Sequence, residues 1–410
     1  MALARAGLAG IAGAAVSALA QFLVVVVVTR SAPLEQAGSF FTAIALALMV
    51  AGVARLDAGN GLIFFIARSR TYGYRGMSGY LQAALVPSVL LAVVASIVLE
   101  PLLGVLALAV PVMVAADILL AATRGFGVMR PTVLYDGVLL PVAQVALVGV
   151  ALWVGAAWLP AAWALPYTLV LAGAALALRG RLPYTPYLPG TGRDLWRYTA
   201  PRSLAGAVQA IFQRLDIVIV AVLGGPAQAA LYTAATRFKV VGQLANQGLA
   251  QAAQPRLIQA LAAGDLVRAR ELYQTTTVWL VLLTWPVWLG YALVAPWLLE
   301  IFGMEYGSAV PIAIVLSATM MIATACGMVD VVLTAAGHTT SSLVNLLVAL
   351  GVTVLLDLVL IPSHGALGAA LGWSGGVIVK NLLPLWQLHQ RHGLRPFGRH
   401  TLRPRSWATA

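Results

Sequence analysis

Residues 211–257 read IFQRLDIVIVAVLGGPAQAALYTAATRFKVVGQLANQGLAQAAQPRL. An apolar run ends in Gly224-Gly225-Pro226, and a second long run returns from it. Adjacent glycine and proline mark a tight turn. Within the two runs sit Arg214, Asp216, Arg237 and Lys239. A charge at membrane depth is costly, faces a cavity or a partner, and marks a pathway. The stretch therefore predicts two spans with a polar interior between helices.

Working outward, the whole chain has the same character. Its 410 residues are 61% hydrophobic and 9% charged, against roughly a quarter charged in soluble domains. A soluble fold of this length cannot hide so much apolar surface, so the fold class is an all-α polytopic membrane protein. The net charge of +12 does not point to nucleic acid. The basic residues lie in short connections between apolar runs, not on one face or tail. The single cysteine, Cys326, lies inside an apolar run, and the five histidines lack ligand spacing. No disulfide, metal or cofactor is expected.

Near the N-terminus, Arg5 and the Ser17-Ala18-Leu19-Ala20 stretch resemble a signal peptide with a small-residue cleavage site. The apolar run continues through Phe22-Leu23-Val24 to Val28, which predicts a retained first helix. Twelve spans of about 20 residues are predicted: 7–29, 39–58, 79–99, 102–122, 133–154, 158–178, 203–223, 229–251, 275–298, 308–334, 340–361 and 366–388.

Orientation follows from the connections. With the N-terminus inside, the inner connections hold Arg68, Arg70, Arg75, Arg124, Arg130, Arg179, Arg181, Arg193, Arg197, Arg256, Arg268 and Arg270. The tail adds Arg391, Arg395, Arg399, Arg403 and Arg405. The outer connections hold Arg30 with Glu35, Glu100, Glu300 and Glu305. This asymmetry predicts a bacterial inner-membrane protein with both termini cytoplasmic. Headgroup anchoring explains most of the arginines. The longest hydrophilic connections, 179–202 and 252–274, fall inside, and the second contains an expected short surface helix from Gly264 to Glu271. The outer connections are too short to carry the catalytic loop of a membrane-embedded glycosyltransferase, so no enzyme activity is expected.

A weak internal repeat, Gln36-Ala37-Gly38-Ser39-Phe40 against Gln228-Ala229-Ala230-Leu231-Tyr232, sets six spans in each half. The expected layout is a six-helix bundle over 1–192, a second over 193–390 related to it by pseudo-twofold symmetry, and a basic tail over 391–410. Paired bundles of this kind hold substrate near the midplane.

The second half resembles the multidrug/oligosaccharidyl-lipid/polysaccharide exporter superfamily, and within it the polysaccharide biosynthesis (O-antigen type) flippases. The resemblance runs through Leu215-Asp216-Ile217-Val218-Ile219-Val220, Ala230-Leu231-Tyr232-Thr233-Ala234-Ala235, Arg237-Phe238 and Pro255-Arg256-Leu257. It continues in Ile301-Phe302-Gly303, Leu333-Thr334-Ala335-Ala336-Gly337-His338, Leu360-Ile361-Pro362 and Gly365-Ala366-Leu367-Gly368. Thr29-Arg30, Ala37-Gly38-Ser39-Phe40 and Thr123-Arg124-Gly125 extend it into the first half. Pro226-Ala227-Gln228 departs from the family's acidic turn, and the eleventh span has few asparagines, which leaves the substrate open.

The resemblance implies transport of a polyprenyl-pyrophosphate-linked oligosaccharide from the inner to the outer leaflet. Its partners would be the lipid-linked sugar and membrane lipids, with glycosyltransferase or polymerase neighbours. Phosphate calls for permanently charged, forked donors, which makes Arg214, Arg237, Lys239 and Lys380 the headgroup candidates. Arg214 stands first, because Asp216 two residues on is expected to point elsewhere. Asp216 and Asp330 are the candidates for coupling to a proton or sodium gradient. Structural alternatives stand beside these roles. Asp216 could pair with Arg237 or Lys239, Lys380 could snorkel to the inner headgroups, and Arg124 reads as a helix-end anchor. Asp117 and Asp357 are further membrane carboxylates, the latter expected to be hydrated near an outer end. Pro87, Pro141, Pro166, Pro286 and Pro384 are expected to interrupt spans. A multidrug exporter of the same superfamily is the alternative function, and a membrane-embedded glycosyltransferase a more distant one.

Overall fold

The computed structural model describes residues 2–74, 76–182, 185, 187–398 and 401, and the side chains of these apart from 2–9, 11, 239–247 and 250–252. All regular structure among the described residues is helical. The first six spans are Ala2–Ser31, Leu34–Ala54 continued by Ala58–Thr71, Met77–Val98, Leu106–Gly125, Thr132–Val154 and Ala156–Leu178. The seventh is Thr191–Phe212 followed, after a 42° bend, by Leu215–Gly224. The eighth joins Pro226–Thr236 to Lys239–Ala262, and the ninth is Leu266–Glu300. The tenth is Met304–Ala335, and the run Thr339–His392 supplies the last two.

Nine of these runs are long and apolar enough to cross a membrane, or ten with the bent pair. The difference from twelve has two physical sources. The 54-residue run is two helices, divided at Gly365, whose φ of 54° and ψ of −131° are not helical. The eighth span falls short on hydropathy because its second segment, KVVGQLANQGLAQAAQPRLIQALA, is rich in glutamine.

By contacts the chain forms two compact units, Met1–Val218 and Ile219–Ala410. In the first unit the fourth span packs on the third and sixth, and the first packs on the fifth. At the last contact a Cβ on Gly13 would lie 3.2 Å from Val133 Cγ1, and one on Gly137 would lie 3.3 Å from the Gly13 Cα. In lipid, where apolar surface alone does not drive helices together, such close approach supplies the packing attraction. The segment Thr191–Phe212 packs on the second and third spans, so the first part of the seventh span belongs by contacts with the N-terminal unit. In the second unit the ninth span packs on the eighth and tenth, and the tenth on the final helical run. The Gly365 corner is held by Gln228, whose Oε1 accepts the Ala366 N–H at 2.9 Å. That donor opens the last helix and would otherwise be unpaired.

Several expected boundaries move. The apolar part of the second span ends at Ala54, near the expected 58, and helix resumes after a break from Ala58 to Thr71, so Arg68 and Arg70 lie on a helix. The seventh begins at Thr191, which shortens the 179–202 connection and puts Arg193 and Arg197 on its first turns. Gly264–Glu271 is not a separate surface helix. Asp265 caps the ninth span by accepting the Arg268 N–H at 2.9 Å, and Arg268 pairs with Glu271 at 3.4 Å. Helices continue through Pro87, Pro286 and Pro384, while Pro141 and Pro166 sit at the starts of segments. Of the tail, Leu394 is buried, and the Arg395 carbonyl accepts from Gln274 Nε2. Arg399, Arg403 and Arg405 lie outside the described residues.

Candidate functional site

Among the described residues, four spans are broken beside charge. The second breaks at residues 55–57, with Arg55 and Asp57, and the seventh at 213–214, with Arg214 and then Asp216. The eighth breaks at 237–238, with Arg237, and the tenth at 326–328, two residues before Asp330. A helix break at membrane depth frees backbone N–H and C=O groups. It is tolerated only where protein or a water-filled cavity satisfies them.

The first break is the most constrained. Leu56 and Asp57 have φ of 50° and 52°, left-handed values that cost a non-glycine residue energy. The neighbouring seventh span holds them there. Asp57 Oδ2 accepts from Arg202 Nε at 2.8 Å, and the Ser203 hydroxyl donates to the Leu56 carbonyl. Arg55 is thereby aimed at the fourth span, where its Nη1 lies 2.8 Å from Asp117 Oδ2. These two side chains keep 47% and 36% of their surface accessible, although they lie between packed helices. The pair is thus partly open to solvent in a stretch of packed helices.

Asp136 faces the same group, within electrostatic reach of Asp117, Arg124 and Arg55. It sits on a π-helical stretch, Thr132–Leu139, that opens the fifth span. Such stretches are rare and recur at functional sites. Arg124 reaches Asp117 as well, and its Nε is buried without a hydrogen-bond partner among the described residues. It is therefore more than a helix-end anchor. From the sixth span Tyr167 lies within electrostatic reach of both carboxylates and of Arg214, while Gln144 Nε2 donates to the Trp163 carbonyl at 3.0 Å.

The sequence-predicted residues distribute as follows. Arg214 lies at the bend of the seventh span with Asp216, Tyr167 and Arg55 around it. Asp216 acts electrostatically on Arg214 across the bend, and among the described residues no ion pair joins the two. Asp216 itself is 3% exposed, with Oδ1 accepting the Ile217 N–H at 2.9 Å. Arg237 forms the C-cap of the segment Pro226–Thr236. Beside it the Phe238 ring packs at a 32° tilt against Tyr291, centroids 4.6 Å apart, and the Tyr291 hydroxyl donates to the Ala235 carbonyl at 2.8 Å. Lys239 opens the following helix, and its side chain lies outside the described residues.

In the second unit Lys380 and Asp330, expected in separate roles, lie within electrostatic reach of each other. The Ser342 hydroxyl donates to Asp330 Oδ1. Asn345 and Gln387 exchange two amide hydrogen bonds of 2.9 and 2.8 Å across the last two spans. Asp357, expected to be hydrated, is fully buried. Its Oδ1 takes the space beside Gly372 that a Cβ would need.

Sequence reasoning assigned no role to Arg55, Asp117 or Asp136. Arg55 was hidden by the boundary at 58, which made it a span-end charge. The lone carboxylate in Thr132-Val133-Leu134-Tyr135-Asp136-Gly137-Val138 was a readable signal.

Comparison with known proteins agrees with this architecture. Residues 201–359 match the MatE family model. No curated protein matches the chain. Among solved structures the chain is similar to an inward-facing multidrug resistance MATE family transporter of the MOP superfamily, with TM-score 0.77 and 16% identity over 92% of this chain and 95% of that one. It is similar to the lipid II flippase MurJ in an inward closed conformation, with TM-score 0.75 and 11% identity over 94% and 87%. A MOP superfamily transporter from Pyrococcus furiosus, noted for reversed polarity of its binding pocket, gives TM-score 0.62 and 17% identity over 96% and 95%. The fold is thus the one these transporters share, with twelve helices in two bundles. The match and the fold support the exporter superfamily that the sequence resembles.

Proposed function

We propose that this chain is a membrane transporter that carries a polyprenyl-pyrophosphate-linked oligosaccharide from the inner to the outer leaflet by alternating access. The observation that carries the reading is the placing of guanidinium groups at helix breaks: Arg55, Arg214 and Arg237. A pyrophosphate needs several fixed, permanently charged donors in a hydrated space. Lys380 and Lys239 would add to this field. MurJ, which shares this fold, is a lipid II flippase.

In this reading the Arg55–Asp117 pair is a gate on the charge. A proton or sodium ion taken up between Asp117 and Asp136 weakens the pair and frees Arg55 for phosphate. Release of the ion reverses this, and linkage makes the two bindings reciprocal. Asp330 beside Lys380 gives the second unit a similar element, and Asp216 beside Arg214 a third.

A second reading, export of cationic drugs, is favoured by one observation: Asp117 and Asp136 lie within electrostatic reach of each other and of Tyr167. The discriminating experiment uses proteoliposomes holding the purified chain. Transbilayer movement of a fluorescent polyprenyl-pyrophosphate-linked oligosaccharide, without gradient-driven ethidium transport, supports the flippase. Ethidium transport with no lipid movement supports the exporter.

A further inference from the structure

The arginine-rich end of the N-terminal unit holds a cavity of about 680 Å³ that plays no part in the site above. Three helix ends build it. The segment Ala58–Thr71 presents Phe65, Arg68 and, just past its end, Tyr72, spaced to share one face. The third span contributes Tyr80 from its first turn, and the seventh contributes Asp194, Arg197 and Tyr198. Its aromatic walls are rigid. Phe65 stacks on Tyr80 at 4.7 Å and 19°, and Tyr198 stacks on Phe64 at 4.7 Å and 9°. Tyr198 also meets Phe65 edge-on at 5.8 Å.

Two features of the cavity leave groups available to a ligand. Arg68 and Arg197 line it, and neither makes an ion pair or side-chain hydrogen bond among the described residues. Tyr72 stands at its mouth with 78% of its surface exposed, a large ring that packs on little. Guanidinium groups held without partners suit an anion. Flat aromatic faces suit the apolar face of a sugar ring, and Asp194 with the tyrosine hydroxyls can bond to its hydroxyls. The volume falls within the range of small-molecule sites, roughly 300–1,000 Å³, and suits a phosphorylated monosaccharide or disaccharide better than a bare phosphate.

We propose that this cavity binds a sugar phosphate, with the phosphate on Arg68 and Arg197 and the sugar ring against Tyr72 and Tyr198. The proposal deepens the flippase reading, on which it rests for the source of the ligand. By the distribution of arginines, the cavity opens at the inner membrane surface. There it would receive the headgroup of a lipid-linked sugar before the central charges do.

The test is calorimetric titration of the full chain in phosphatidylcholine nanodiscs. The probes are glucose 1-phosphate, inorganic phosphate, glucose, and farnesyl-phosphoryl-glucose incorporated in the disc. Wild type is expected to bind both phosphorylated sugars more tightly than phosphate or glucose. The double variant Arg68→Gln/Arg197→Gln should weaken both by about tenfold or more. Tyr72→Ala, at an exposed ring whose loss cannot unfold the bundle, should weaken the sugar phosphates and leave inorganic phosphate unchanged. Binding of the lipid-linked form alone would support the site and assign its source to the membrane; binding of glucose 1-phosphate as well would support it with a soluble source admitted. Affinities for both forms that do not change in the double variant would overturn the site. Equal competition by phosphatidylglycerol, which has a phosphate and no sugar ring, would overturn the sugar assignment. Sugar-phosphate binding in a protein that moves no lipid-linked sugar would keep the cavity and sink the transport reading.

Discussion

Arg55 Nη1 and Asp117 Oδ2 stand 2.8 Å apart between the second and fourth spans, and Arg55 sits at a break of the second span where Leu56 and Asp57 take left-handed φ. The pair joins backbone geometry to function. An unbroken second span would carry Arg55 past Asp117 on a helical screw, and the break fixes its direction instead. Accessible pairs of this kind contribute at most about 1 kcal/mol to stability. Their retention in an apolar chain is better explained by transport than by folding.

Asp117→Asn and Arg55→Gln are each expected to cut transport more than tenfold while shifting the melting temperature of the solubilised protein only slightly. The measurement pairs a proteoliposome flux assay with a thermal melt. A large loss of stability with normal specific flux would make the pair structural.

Asp330→Asn removes the negative charge within reach of Lys380. Gradient-driven accumulation should fall while downhill movement persists, read as flux with and without an imposed proton or sodium gradient. Equal loss of both would place Asp330 in the substrate path instead.

Gly372→Ala should destabilise the second unit by about 1–3 kcal/mol, because its Cβ would enter the space of the Asp357 carboxylate. Gly149→Ala, with nothing near the added atom, is the control. Similar melts for the two variants would contradict the packing described here.

Gln228→Leu should cost about 1–3 kcal/mol by leaving the Ala366 N–H at the Gly365 corner without its acceptor. A chemical-denaturation midpoint in detergent reads this directly. An unchanged midpoint would mean that water satisfies the corner.

Much of the fold was legible in the sequence. Hydropathy alone marks most spans, because an apolar run of twenty residues has few other uses. The misread boundaries share one cause: a polar residue inside a span looks the same in sequence as a polar residue at its end. Arg55 and Asp57 fall inside the expected span 39–58 and lie at a break. Arg193 and Arg197 were read as a connection and begin a helix. Arg214 and Asp216 were legible as buried charges, yet the 42° bend beside them is not revealed by spacing. Gln228 looked like a departure from an acidic turn, and its role became visible only against Gly365, more than a hundred residues away.

The most direct test of the account is the movement of a fluorescent polyprenyl-pyrophosphate-linked oligosaccharide across proteoliposomes by wild type and by Arg214→Ala, at matched protein incorporation. The account predicts flux for wild type and near-background flux for the variant, with insertion unchanged. Equal flux for both would contradict the assignment of the lipid headgroup to the broken seventh span.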